Sequence, residues 1–427
     1  MMDENGDIRG GFYLKKLFEI QSELLVKPVR FLTRAHVEPT NLEKMKVCRA
    51  TQIFSPPVIA TLQFLQDNPS SHPDAHEFEN SSPTINFMKM VAKWYALHDI
   101  GKVQSSGLHD GPFIVTDDER LSWLELDFVC YMEDLRMHSD RSKRMTKETY
   151  EATLLTTKST LALIEFLLDH VNFRYVLTRG LTATPWSHCS VVIGSLMAAM
   201  TKWTPGRQFT LWKKLLKVGI LQAAKSGNAP ASSEMKAPIR MTVQNVETYP
   251  LPAPVVFATR ELASEIEFVN RFSEEADIKI APVAFLAGYV ARVCVEKVPC
   301  RSCKALLQAE DPSQPIYGLL KYMDNGNLTY PKTDVVGLCK LTCNFVSRVM
   351  KSEEVRRSSQ LCKMMLSALL PHFTRRPQLI CESRDSVHTE KLCKVFLIKL
   401  LRPLLANWAG DINSTVERLL RLSHKPL

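Results

Sequence analysis

The sequence predicts a mainly α-helical protein, and three observations carry that prediction. Apolar residues recur at three- and four-residue spacing through most of the chain. Capping-box tetrads stand ahead of two of these runs. Only Val171–Thr178 has some strand character. The chain of 427 residues, 45% hydrophobic and 23% charged, has the length for two or three domains and the composition of a soluble globular protein. Its N-terminus, MMDENGDIRGG, is polar and acidic and lacks the apolar core of a secretory signal. No charge-free apolar run reaches the roughly 18 residues of a membrane span. An intracellular, soluble protein with no membrane partner is expected.

The elements follow in order. Leu14–Leu25 is the first apolar run at helical spacing. Thr40-Asn-Leu-Glu43 is a capping box for a helix whose apolar side includes Met45, Cys48 and Ile53. Ser55-Pro56-Pro57 stops that helix and starts another through Val58, Leu62 and Leu65, since proline is tolerated in a first turn. Gln66–Pro83 reads as a polar loop, Ile85–Leu97 as an apolar helix and Gln104–Pro112 as a second loop. Thr116-Asp-Asp-Glu119 is a capping box opening the amphipathic helix Leu121–Arg136. A polar linker, His138–Lys147, leads to the longest helical signal, Tyr150–His170. Lys225–Pro254 reads as a mobile loop, and helices return at Arg260–Phe272, Ala281–Glu296, Val335–Met350, Ser358–Leu370 and Glu390–Ala406.

Eleven cysteines, an odd number without a regular framework, read as reduced and mostly buried thiols. One pair stands apart. Cys300-Arg-Ser-Cys303 has the knuckle spacing of half a structural zinc site. The second half could come from Cys381 with His388 or with His372, and Cys339 with Cys343 is a rival pair. The net charge is +9, and Lys202–Arg240 holds eight Lys/Arg against one acid, Glu234. Lys202, Arg207, Lys213, Lys214 and Lys217, interleaved with Trp203, Phe209 and Trp212, make a candidate non-specific DNA contact. A G-x-x-x-x-G-K-S/T loop is absent, which excludes a P-loop nucleotide site. Ser187, His188 and Cys189 are adjacent without a G-x-S-x-G turn, so they do not make a nucleophile and its base.

Three blocks, in order, resemble the P-element-type (THAP-family) transposases. Phe31–Leu65 resembles the start of that family's GTP-binding helical insertion. Thr146–Leu181 resembles the return to its RNase H-like fold, and Phe285–Leu307 with Asn325–Pro331 its C-terminal helical region. The resemblance implies three domains: an insertion domain over 1–120, an RNase H-like C-terminal part over 121–205 and a helical C-terminal region over 206–427. It also implies a nuclear location. A THAP zinc domain, a coiled coil and the RNase H half with two catalytic aspartates are not found, so a truncated element is expected.

In this family Phe173–Ser195 would deliver the last acid of a DDE site, which cuts DNA with two metal ions held between carboxylates. Here Ser187 stands at the family's glutamate, Thr184 at its aspartate and Gly194 at its arginine. A hydroxyl does not hold magnesium as a carboxylate does, so the chain is expected to lack cleavage activity. What remains is binding of DNA, of guanine nucleotide, of a second copy or of a related full-length transposase. The alternative is a subunit of an active DDE transposase completed by the missing half. For GTP, Lys44 and Lys46 would meet phosphates. Tyr95 and His98 occupy the family's aspartate and asparagine positions, which leaves Asp99 to substitute as the base-reading carboxylate.

Overall fold

The computed structural model describes residues 10–40, 47–103, 111–138, 145–181, 251–262, 276–309, 312–356, 358, 360–381 and 386–423. Its longer helices are α1 Gly10–Ser22, α2 Val47–Ile53, α3 Pro56–Asp67, α4 Ser82–His98, α5 from Glu119–Ser122 through a wide turn at Trp123–Phe128 into Val129–His138, and α6 Lys147–Glu165. They continue with α7 Ala253–Glu261, α8 Ala281–Lys297, α9 Arg301–Leu307, α10 Gly318–Met323, α11 Thr333–Val349, α12 Leu361–Phe373 and α13 Ser386–Ser423. Among the described residues there is no strand, only two isolated antiparallel bridges, Phe113 with Val176 and Gln308 with Pro331. The mainly helical class is thus the observed one. No described helix is long and apolar enough to cross a membrane.

Several starts and stops follow the sequence signals. Ser55 is the extended N-cap of α3, with both prolines in the first turn, and the helix buries Val58, Leu62, Phe64 and Leu65. Thr146 caps α6, its hydroxyl accepting from the Thr149 N–H at 3.3 Å. At α5 the cap differs from the one expected. Asp118, not Thr116, is the N-cap, because its carboxylate takes both the backbone N–H and the guanidinium of Arg120. The strand expected at Val171–Thr178 reduces to the single bridge at Val176, and α13 runs well past Ala406. The loops expected at Gln104–Pro112 and Lys225–Pro254, the linker at His138–Lys147 and the helix at Arg260–Phe272 lie wholly or largely outside the described residues.

The chain forms two compact units. In its described part the first comprises 47–54, 86–103, 111–138 and 145–181. Leu97, Ile100, Phe113, Leu121, Leu124, Ile164, Leu168 and Val176 make its core. Trp94 of α4 stacks on Phe128 at 5.8 Å and donates to Thr157 Oγ1 of α6 at 2.8 Å. The end of α4 is closed by Thr178, which accepts from the Ile100 N–H at 3.1 Å and donates to the Leu97 carbonyl at 2.6 Å.

The second unit holds 10–40, 55–85 and the described residues from 251 onward. Its core is built by α8, α11, α12 and α13 around Phe345, Phe373 and Phe396. α8 is buried along Ala284, Ala287, Gly288 and Ala291, a stripe small enough for close approach. The loop from Asp324 to Pro331 lies against it. Asp324 Oδ1 accepts the N–H groups of Gly326, Asn327 and Leu328 at 2.8, 3.0 and 3.1 Å, with Gly326 at φ +92. Tyr317 donates to the Pro331 carbonyl and fixes the loop's far end. A Cβ on Gly288 would stand 2.3 Å from the Thr329 carbonyl oxygen, inside any tolerated contact.

Gly288→Ala is therefore expected to lose about 1–3 kcal/mol as the loop is forced off α8. Gly11→Ala, whose Cβ would meet nothing within 4 Å, is expected to gain up to about 1 kcal/mol in helix α1. Urea unfolding of the two variants beside the parent protein measures both; equal behaviour of the two would contradict the close approach.

Candidate metal centre

The break between α8 and α9 creates the centre. α8 ends at Lys297, Val298 closes it with an N–H to the Cys294 carbonyl at 2.8 Å, and Pro299 cannot carry the helix on. Cys300 then takes the extended N-cap position of α9, at φ −144 and ψ 133, and Cys303 follows in the first turn. The two-residue spacing therefore turns both sulfurs to the start of one short helix. The turn Pro377–Leu379 packs against α9 and leads directly into Cys381. His388 stands in the first turn of α13.

These four side chains meet. The ligand atoms of Cys300, Cys303, Cys381 and His388 all lie within 4.8 Å of one another. Cys300 Sγ and Cys381 Sγ are 3.7 Å apart, and Cys303 Sγ is 3.1 Å from His388 Nε2. Zinc–sulfur bonds of about 2.3 Å at a tetrahedral angle set an S···S edge of about 3.8 Å, which the cysteine pair matches. The corresponding S···N edge is about 3.6 Å, so the Cys303–His388 pair would open by about 0.5 Å around an ion.

Electrostatics favour a cation here. The backbone N–H of Cys303 is the strongest influence on the Cys300 thiol and, with the Cys381 and Cys303 thiols and the Ser302 N–H, outweighs burial to hold it below its ordinary value. Burial first, then Cys381 and Cys300, push the Cys303 thiol upward. Buried thiolates side by side repel, and a divalent ion removes that penalty. Three sulfurs and one imidazole with no open position are the donor set of a closed, structural zinc site. The Cys381 N–H also donates to Thr389 Oγ1 at 3.3 Å, tying the ligand's backbone to α13.

The rival residues lie elsewhere. Cys339 and Cys343 sit on α11 in the core, where burial raises both thiols, Cys343 to about 12. His372 on α12 is outside the cluster, its imidazole pushed down by burial and by Arg376 and Arg375. Thr389 was not singled out from the sequence, although its place next to His388 was a usable signal.

Asp99 has a different setting. Its two oxygens accept from Arg179 Nε and Nη2 at 2.7 and 3.1 Å, and the guanidinium lies against Gly101, where an added Cβ would fall 2.6 Å from it. Tyr95 is close by, its hydroxyl pKa raised by burial and then by Asp99. His98 is buried beneath Trp94, with Nδ1 2.7 Å from the Trp94 carbonyl. A guanine would present the same paired N–H donors as the guanidinium, so it would compete with Arg179 for this carboxylate. Asp99 is thus ion-paired with Arg179. The remaining expected residues, Lys44, Lys46, Ser187, Lys202, Arg207, Lys213, Lys214 and Lys217, lie outside the described residues.

Two family profiles match the chain. Residues 1–110 match the TNP-like, GTP-binding insertion domain, and residues 269–408 match the C-terminal domain of DNA transposase THAP9. No curated protein and no solved structure gives a match. A helical insertion domain followed by this C-terminal domain defines a transposase-derived protein. The two matches support a THAP9/P-element-type transposase-derived protein, with Asp99 inside the first matched segment and all four candidate ligands inside the second.

At the Asp99 end of α4, Thr178 is expected to matter more than the ion pair. Thr178→Val would leave the buried Leu97 carbonyl and Ile100 N–H unpaired and cost about 1–3 kcal/mol. The Asp99–Arg179 pair is partly open to solvent, 30% and 50% exposed. A double-mutant cycle of Asp99→Asn with Arg179→Met should therefore give coupling below about 1 kcal/mol. Chemical unfolding of the four variants orders the two effects, and the reverse order would contradict this account.

Proposed function

We propose that this protein is a transposase derivative that binds without cutting and whose C-terminal domain is held together by a structural zinc ion. The observation that carries the zinc reading is the convergence of Cys300, Cys303, Cys381 and His388 within 4.8 Å. Cys381 lies 81 residues after Cys300, and His388 85 residues after Cys303. An ion there would cross-link α9, the segment after Pro377–Leu379 and the start of α13. Cys300, Cys303, Cys381 and His388 would hold the metal. It supplies cross-linking and charge neutralisation, and no reaction is routed through it.

The non-cutting reading rests on Ser187 at the family's glutamate position. Its domain plan is the one expected from the resemblance: 1–120 insertion, 121–205 RNase H-like, 206–427 C-terminal. The retained activity is non-specific attachment to DNA phosphates through Lys202, Arg207, Lys213, Lys214 and Lys217, in the nucleus, as a homo-oligomer or beside a related full-length transposase. Guanine nucleotide is assigned no base-reading contact at Asp99, and Lys44 and Lys46 are its remaining phosphate candidates.

Zinc is tested by elemental analysis of the purified chain. One zinc per chain is expected, lost in Cys303→Ser and His388→Ala and kept in Cys339→Ser, with chelation lowering the melting temperature. A metal content indifferent to Cys303 and His388 sinks the reading. The non-cutting claim is tested by supplying a related transposase's catalytic half with magnesium. Strand cleavage should appear only after Ser187→Glu, and cleavage with Ser187 in place rejects it. Charge neutralisation of the Lys202–Lys217 basics should flatten the salt dependence of DNA binding in the same preparations.

A further inference from the structure

We propose that the centre is a thiol–disulfide exchange site: Cys300 attacks a small oxidising disulfide such as oxidised glutathione, Cys381 resolves the mixed disulfide, and a Cys300–Cys381 bond replaces the metal. This rests on the zinc reading above. Three observations select the pair and the order of events.

Exposure selects the point of entry. Cys300 is partly exposed, whereas Cys303 and Cys381 are buried. A tripeptide disulfide therefore meets Cys300 first. Distance selects the resolving sulfur. Cys381 Sγ is 3.7 Å from Cys300 Sγ, so the pair has to close by about 1.7 Å to reach the disulfide length of about 2.05 Å. Cys303 also lies within 4.8 Å of the pair, and its sulfur is 3.1 Å from His388 Nε2. Metal-bound cysteines are thiolates, so both nucleophiles are ionised when the exchange begins.

The steps balance. The Cys300 thiolate attacks one sulfur of oxidised glutathione, the glutathione S–S bond breaks, and one glutathione thiolate leaves with the electron pair. The Cys381 thiolate then attacks the Cys300 sulfur, forming the intramolecular bond and expelling the second glutathione thiolate. Two electrons pass from the cysteine pair to glutathione, and the two released thiolates take protons from water as the equilibrium requires. With two of its four ligands consumed, the zinc ion leaves.

One cross-link is exchanged for another. α9 stays joined to the segment after Pro377–Leu379, now covalently. The hold on α13 changes, from a metal bond at His388 to the 3.3 Å hydrogen bond between the Cys381 N–H and Thr389 Oγ1. The same centre thus holds the first turn of α13 firmly in reducing surroundings and loosely in oxidising ones.

The test uses the zinc-loaded full chain treated with oxidised glutathione, with zinc release followed by a chromogenic chelator. Non-reducing peptide mapping and amide hydrogen exchange are run on the same samples. One zinc should be released per chain, a Cys300–Cys381 peptide should appear, and exchange should accelerate in the first turn of α13. Reduced glutathione with added zinc should reverse all three. Cys381→Ser should stop at a glutathione adduct on Cys300. Should that variant not fold, peptide mapping of the wild-type chain decides alone. A Cys300–Cys303 link, or zinc retained with all thiols free, overturns the exchange while leaving the zinc reading intact. Absence of zinc before any oxidant is added defeats the zinc reading instead.

Discussion

The architecture of the C-terminal helical unit depends on how closely other segments can approach α8. That helix is buried on Ala284, Ala287, Gly288 and Ala291, and the Asp324–Pro331 loop comes so near that even a methyl group at Gly288 has no room. Small residues here trade hydrophobic area for proximity. The lost area is recovered by the larger side chains of α11, α12 and α13, such as Phe345, Phe373 and Phe396, which pack into the same core. The position of α8 in turn sets where its chain must break. Pro299 ends it and places Cys300 at the head of α9. The candidate metal centre is thus a consequence of where one close-packed helix stops.

Helices and their starts were legible because the signals are local. Ser55 with two prolines and the apolar spacing of α8 and α11 each act within a few residues. The Thr116 capping box misled for an equally local reason. A hydroxyl at Thr116 and a carboxylate at Asp118 both precede the helix, and Asp118 takes the N–H and guanidinium of Arg120. Where the determinant was distant, the sequence could give only a shortlist. Cys300-x-x-Cys303 announced half a site, but the choice of Cys381 and His388 over His372 or the Cys339–Cys343 pair depends on α9 packing against the Pro377–Leu379 turn. That packing joins segments some 80 residues apart, and no spacing rule encodes it.

Asp99 shows the opposite limitation. From the sequence it is the carboxylate left to read a guanine base, at the end of an apolar helix. Arg179, 80 residues later, occupies both its oxygens, and Gly101 supplies the flat surface on which the guanidinium rests. The arginine lies outside the matched insertion segment, so the contact joins that segment to the stretch that resembles the RNase H-like return. The ion pair itself contributes little, being half open to water. What fixes the junction is the Thr178 hydroxyl, which pairs a donor and an acceptor that the core would otherwise leave unsatisfied.

A fold can outlast the chemistry it once supported, because the two make different demands on the chain. A two-metal cutting site requires several carboxylates at fixed separations, and one hydroxyl in place of an acid disables it. Packing is more tolerant, since burial needs only the right volume and polarity on the right face. The C-terminal domain meets that looser requirement along α8, α11, α12 and α13. Its four converging ligand atoms, all within 4.8 Å of one another, are compatible with a zinc ion. Four such donors would hold α9, the segment after Pro377–Leu379 and the start of α13 together without a position for a substrate.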